Sequence, residues 1–457
     1  MRPYFWVPFV ATPAIFVAQS EAWRLSPLQH PLMNTEATNL HGRFLHITDM
    51  HMDSYYQVNA TIKSECHRPP KKHKNRKWRQ GKLAGDWGAP TTECDAPPQL
   101  IDHTINWISH EWKHKIDFVI WTGDNARHDI DGKLPRTRKE ILGYNQRLTD
   151  TMQQAFTLEG INRTIPIVPV IVDKDKPILL KDFVTMWRDF IPLDQVDVFK
   201  RGGYFAVDVV PGVRVLSLNT LYFFNSNDAV HACRVKGGTA HRHMSWISEQ
   251  LAKARQDGVK VYMIGHVPPS AKTFRKSCLS QYVDISLEYA DVIAGHMYGH
   301  ANLDHFQILT KEKQNRIEIE KNVEQFVSDL REQYQQAREE NNTSAIVVHV
   351  APPVLPLYYS AFRINQYDTS RANFGQWQQY TQWYTNLTYW NQQPAKSTPE
   401  FEIEYTTNDT YNMSDLGVDS WLRLAVQMTE DTREAQVLWN KYLNNMFVQT
   451  SNDYYLG

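Results

Sequence analysis

Short runs rich in β-branched and apolar residues recur along the chain and alternate with segments of helical periodicity. That alternation restricts the chain to the α/β class. The strand-like runs lie at 44–48, 116–121, 165–171, 204–209, 213–218, 259–264, 289–294 and 345–350. Between them, Leu100, Ile101, Ile105, Ile108 and Trp112 share one helical face, as do Met244, Ile247, Leu251 and Ala254. Strands this continuously apolar suit sheets covered on both faces. With 457 residues, 42% of them apolar and 22% charged, there is material for one large domain with additions. A net charge of -1 gives the whole molecule no attraction for polyanions, so such a partner must be read from local patches.

Polar residues stand where the strands end. Asp49 and His51 follow the first (ITDMH), Asp124 and Asn125 another (VIWTGDN), and Asp173 and Asp175 a third (PVIVDKD). His266 follows YMIG, and His300, Asn302 and Asp304 lie in YGHANLD. Ligands bind beyond the carboxyl ends of strands in open α/β sheets, so these groups are expected to converge on one site. Carboxylates and imidazoles bind divalent first-row metals, and two such ions sharing a carboxylate activate water and neutralise phosphoryl oxygens. DxH or GH alone is a weak signal; five polar strand ends in this order are a strong one.

Taken together, HITDMHMD, WTGDNARHD, FIPLDQ, SLNTLYFFN, MIGHVPPS and GHMYGHANLDHF resemble the calcineurin-like metallophosphoesterases. Within them they are most similar to fungal endopolyphosphatases, relatives of the acid sphingomyelinases. The resemblance covers most of 41–309. It implies a four-layer sandwich, two facing mixed β-sheets flanked by helices. It also implies two divalent metal ions, of Mn, Fe, Zn, Co or Mg type. Asp49 and His51 match ligands of the first metal, Asp124 the bridging carboxylate, and His266 and His300 ligands of the second. Asn302 stands where many of these enzymes have a histidine, and its carbonyl oxygen can still ligate. Asp173 takes the place of the family's ligand asparagine, and Lys174 that of a phosphate-contacting residue. His128 matches a proton donor to the leaving group, with Asn125 beside the metals. The implied activity is cleavage of internal phosphoanhydride bonds of polyphosphate by a metal-activated water. The rivals are a sphingomyelinase-like phosphodiesterase and a polyanion-binding pseudoenzyme altered at 172–175.

The remaining features concern surroundings. Arg2 and the apolar run from Tyr4 to Ala18 read as a signal peptide or signal-anchor over 1–20, with an ordinary buried segment as the bland reading. Sequons at Asn59, Asn162, Asn341, Asn342, Asn386, Asn408 and Asn412 suit a glycosylated surface. Together these features and the resemblance suggest the secretory pathway and a vacuolar lumen or membrane, with possible attachment through the N-terminus. Four cysteines form no CxxC pair; proximity favours Cys66–Cys94 and Cys233–Cys278, although three pairings exist. Residues 67–82 carry eight Lys or Arg and no acid. They read as a solvated insertion or as a landing strip for polyphosphate through Lys71, Lys72, Lys74, Arg76 and Lys77. No specific nucleic-acid partner is indicated. Residues 311–341 read as an exposed helical insertion, and 345–457 as a C-terminal part completing or capping the domain.

Overall fold

The computed structural model describes residues 40–70, 82–160, 163–172, 178–311, 323–339, 344–394 and 397–450. Its strands are β1 (Arg43–Ile47), β2 (Phe118–Trp121), β3 (Thr157–Leu158), β4 (Arg163–Thr164), β5 (Ile167–Pro169), β6 (Phe205–Val210) and β7 (Val213–Ser217). They continue as β8 (Lys260–Ile264), β9 (Ile293–Tyr298), β10 (His305–Thr310), β11 (Ala345–Val350), β12 (Ser360–Tyr367), β13 (Trp377–Thr385) and β14 (Glu402–Thr406). One six-stranded sheet has the order β14-β13-β12-β1-β2-β5, and a second has β10-β11-β9-β8-β7-β6. Both are mixed. Parallel cores β1-β2-β5 and β7-β8-β9-β11 are flanked by antiparallel neighbours. β3 and β4 form a small separate ladder.

Side-chain alternation shows why the sheets stack. In β8, Tyr262 and Ile264 enter the core shared by both sheets, while Val261 and Met263 enter the core beneath the outer helices. β11 repeats this, with Val347 inward and Ile346 and Val348 outward. A strand buried on both faces needs apolar residues at every position, which is what made these runs visible in the sequence. Phe44 of the first sheet lies 5.1 Å from the Tyr262 ring of the second. Ser217 Oγ donates to the carbonyl of Pro169 across the same gap at 2.7 Å.

Outside the first sheet, the helix Pro98–Trp112 sets Trp107 against Phe362 and Trp383 at 6.0 and 5.5 Å. Beside it lies Arg138–Ala155, opened by a Thr137/Glu140 capping box and burying Leu148 and Met152. Outside the second sheet, Thr239–Asp257 and Lys276–Glu288 bury Ile247, Leu251, Leu279 and Val283. Helix, sheet, sheet, helix is the expected four-layer order.

Some local expectations change. The run 289–294 is not the strand: Tyr289 ends the preceding helix, and β9 occupies Ile293–Tyr298. The 311–341 segment contains the helix Val323–Glu339, but it is not simply exposed. Phe326, Leu330 and Tyr334 are fully buried, and Tyr334 stacks on Phe306 at 4.5 Å. Residues after 345 supply β11 to one sheet and β12–β14 to the other, with β12 lying directly beside β1. The disulfides are Cys66–Cys94 and Cys233–Cys278. Among the described residues, no helix is long and apolar enough to cross a membrane. Asn59, Asn408 and Asn412 are exposed and Asn386 is partly so; the other sequons lie outside the described residues.

Candidate metal centre

The loops after β1, β2, β8 and β9 meet at one end of the sandwich, around a cavity of about 720 Å³ lined by His51, Asp124, His128, His266, His300 and Asn302. Two glycines permit the convergence. A Cβ on Gly123, which has φ +92°, would lie 2.2 Å from Val172 Cγ2. One on Gly299 would lie 2.3 Å from Asp49 Oδ2. The glycines of the GD and GH motifs are therefore places where loops touch, one step before the functional side chain.

Ligand-capable atoms of Asp49, His51 and Asp124 lie within 4.8 Å of one another, and so do those of Asp124, His266 and His300. Asp124 belongs to both groups. Its Oδ2 is 3.4 Å from His51 Nε2 and 3.3 Å from His266 Nε2. Several of these groups have atoms that meet the protein only at ion-pair distance or make no hydrogen bond to it. His51 Nδ1 and Nε2, His266 Nε2 and Asn302 Oδ1 are buried without a hydrogen bond. A buried polar atom left unsatisfied is costly, and a cation would satisfy these. The donor set of oxygen and nitrogen atoms fits divalent metals. His266 is aimed by its other nitrogen, with Nδ1 3.0 Å from the carbonyl of Thr122. Asp49 accepts from Thr48 Oγ1 at 2.5 Å and from the His300 amide at 3.0 Å.

The electrostatics agree. Burial opposes a charge on His51, yet Asp124, Asp49 and Asp95 push its pKa up to about 9. Burial also opposes ionisation of Asp124, but His51, His266 and His128 hold its carboxyl well below the usual range. His266 is likewise raised, against burial, by Asp49 and Asp124.

Other expected residues fare differently. Asn125 is buried with both ends of its amide engaged: Trp121 Nε1 donates to Oδ1 at 2.9 Å, and Nδ2 donates to Asn145 Oδ1 at 2.7 Å. It braces the loop while also lining the cavity. His128 lines the cavity, its ring stacked 4.0 Å from that of His51. Asp304, counted with the strand-end groups, is buried and paired with Arg363 and Tyr405, a structural role. His296 and His305 are core residues, the first 2.7 Å from Tyr282 Oη. Asp173, Lys174, Lys71, Lys72, Lys74, Arg76 and Lys77 lie outside the described residues. The sequence reading missed Asp95, whose Oδ1 sits 2.7 Å from His128 Nδ1. It also assigned no role to Leu221 and Phe224, which make the specific SLNTLYFFN stretch a wall of the cavity.

No family model matches the chain. Three curated fungal proteins, each named endopolyphosphatase, are similar to it. The one from Cryptococcus neoformans var. neoformans is 38% identical over 315 residues, covering 62% of this chain and 46% of the relative. That from Yarrowia lipolytica is 30% identical over 417 residues, covering 72% and 56%. That from Saccharomyces cerevisiae is 37% identical over 302 residues, covering 63% and 44%. The chain spans about half the length of the curated relatives it matches. A dimetal phosphatase from Danio rerio aligns in structure at a TM-score of 0.38 and 10% identity, covering 74% of this chain and 94% of that one. PhoD aligns at 0.41 and 9% identity, covering 89% and 77%; scores this low carry no functional argument. By sequence, the chain is a relative of the fungal endopolyphosphatases.

Proposed function

We propose that the chain hydrolyses internal phosphoanhydride bonds of inorganic polyphosphate at this centre. The observation that carries the reading is Asp124, a single carboxylate shared by two groups of oxygen and nitrogen donors. Asp49, His51 and Asp124 would hold one divalent ion, and Asp124, His266, His300 and Asn302 the other. Bound there, the pair would supply Lewis acidity towards the phosphoryl oxygens and lower the pKa of a water. The chain's own residues do the rest. Thr48 and the His300 amide fix the Asp49 carboxylate, Thr122 fixes the His266 ring, and His128 presents a ring nitrogen to the leaving oxygen. Polyphosphate is the substrate that fits both the named relatives and the basic stretch 67–82. No specific observation favours a lipid phosphodiester. Two disulfides and the sequons fit an oxidising, luminal compartment such as a vacuole. The test is chain shortening of long polyphosphate, resolved by gel, against titrated Mn, Zn, Co and Mg. Metal-dependent appearance of intermediate lengths is expected. Release of terminal phosphate alone, or no metal-dependent cleavage, would overturn the reading.

A further inference from the structure

We propose, on the basis of the hydrolytic reading above, that a basic groove beside the metal cavity grips the polyphosphate chain away from the bond being cut. The groove, of about 590 Å³, is lined by Arg234, Arg275, Lys276, Ser277 and Ser280. Among the described residues no carboxylate lines it. Two segments build it. Residues 225–238 and 267–280 together carry five Lys or Arg, at 234, 236, 272, 275 and 276, against one acid, Asp228. The whole chain has a net charge of -1, so this excess is local. Arg234, Lys236 and Lys276 are exposed and form no ion pair among the described residues.

The Cys233–Cys278 bond ties the two segments together and keeps Arg234 in the same groove as Arg275 and Lys276. Lys276 opens the helix Lys276–Glu288, whose first turn holds no acid. A helix N-terminus carries partial positive charge, so cations gathered there are opposed by it as well as by one another. A polyanion laid in the groove relieves both repulsions. The same segments also form a wall of the metal cavity. Phe224 lines that cavity and bridges to Phe274, the neighbour of Arg275. The Arg275 amide donates to the Phe223 carbonyl at 2.8 Å, and its guanidinium donates to the Asn227 carbonyl at 2.7 Å. His266 and Arg275 belong to one loop, between β8 and that helix. The groove thus begins one residue from the cavity wall. A long chain with a charge on every unit can occupy both places at once, whereas a small phosphoester cannot. Two-point holding raises the effective concentration of the chain at the metals and presents an internal bond there rather than an end.

The test compares wild type with Arg234→Gln/Lys236→Gln/Lys276→Gln and with a charge-matched control, Lys253→Gln/Arg433→Gln/Lys441→Gln, at exposed positions of two other helices. Arg275 stays in place because it braces Asn227. The groove variant should raise KM for long polyphosphate about 3- to 30-fold more than KM for 4-nitrophenyl phosphate, from three exposed charge contacts at a factor of roughly 1.5 to 3 each. The control should move that ratio by less than about twofold. Fluorescence anisotropy of dye-labelled long polyphosphate, read on the chelator-treated full chain so that nothing is cut, should show the same loss of affinity, shrinking as salt rises. Equal KM shifts for both substrates, an equal loss in the control, or unchanged anisotropy would overturn the groove. Tighter binding of an oligothymidylate of equal charge would assign it to nucleic acid instead. If wild type binds polyphosphate through the groove but does not cut it, the hydrolytic reading alone fails. If it cuts and the groove variant matches it throughout, the groove alone fails.

Discussion

His243 offers a direct measure of how the core responds to acid. It lies fully buried in the helix Thr239–Asp257, its ring stacked 4.0 Å from Tyr204 and 4.9 Å from Phe223. Its ring nitrogens make no well-formed hydrogen bond, and the Asn219 backbone beside it only partly opposes the effect of burial. Burial therefore pushes its pKa from 6.5 down to about 3. The folded value is depressed, so the neutral ring's contribution is fully present above about 6.5 and is lost as pH falls towards about 3. At about pH 5 the unfolded histidine is almost wholly protonated and the folded one is not. The gap of about 1.5 pH units, at about 1.36 kcal/mol each, makes the loss roughly 2 kcal/mol. His243→Phe keeps a flat ring in the stack and removes the titration. Urea unfolding of metal-free wild type and variant is measured at about pH 7.5 and about pH 5. Between the two conditions the variant should lose about 2 kcal/mol less than wild type, because every other titrating group is common to both and cancels. Losses equal to within about 0.5 kcal/mol would refute a neutral, desolvated His243.

Two expectations concern the centre and a third the basic stretch. Asp124→Asn should lower hydrolysis roughly a thousandfold, several kcal/mol of barrier, with little change in Tm; near-normal turnover at saturating metal would remove Asp124 from the bridging position. Metal binding must displace the proton that His51 holds with a pKa of about 9 in the metal-free chain. Calorimetric affinity should thus fall about tenfold per pH unit below that value for this one proton, and pH-independent binding would exclude His51 as a ligand. Replacing Lys71, Lys72, Lys74, Arg76 and Lys77 by Gln should raise KM for long polyphosphate more than for a small phosphoester. The wild-type advantage should shrink as salt shortens the Debye length below about 8 Å, and equal effects on both substrates would refute the landing strip.

Legibility followed burial. β2, β8 and β11 are apolar at nearly every position because both faces are covered, and a run of that kind is visible without a structure. β9 was displaced in the reading because its own sequence, IAGHMY, carries Gly295 and His296, while the preceding turn is the more apolar. β12 escaped because it buries Arg363 and Asn365, and a buried arginine is recognisable only through its partner Asp304, 59 residues away. The clustering of Asp49, His51, Asp124, His266 and His300 was legible because each stands shortly after an apolar run, even where, as before His300, the strand itself was placed a few residues early. Asp95 follows no strand. Its relation to His128 runs through a disulfide and 33 residues of chain, so no local pattern announces it.

The centre also has a backbone signature that composition hides. Among the described residues, twelve other than glycine have positive φ, and five of those are Asp49, His51, Asp124, His300 and Asn302. Such conformations cost of the order of 1–3 kcal/mol each and persist only where surrounding structure over-determines them. Here the restraint is backbone hydrogen bonding between loops. The amides of Asp49, His51 and Met52 donate to the carbonyls of Gly123, Asp124 and Asn125 at 2.9, 3.0 and 2.9 Å. Leu355 N–H closes the other side by donating to the Asp49 carbonyl at 2.9 Å. These bonds join the loops after β1 and β2 without involving any side chain that would hold a cation. The expectation is that the fold meets the cost of this geometry at Asp49, His51 and Asp124, so that cations would enter a site already shaped. Hydrogen exchange separates this from its opposite. In chelator-treated protein, the amides of Asp49, His51 and Met52 should remain protected to within about tenfold of the metal-loaded state. Exchange as fast as in exposed loops would mean that the cations, not the backbone bonds, impose the left-handed turns.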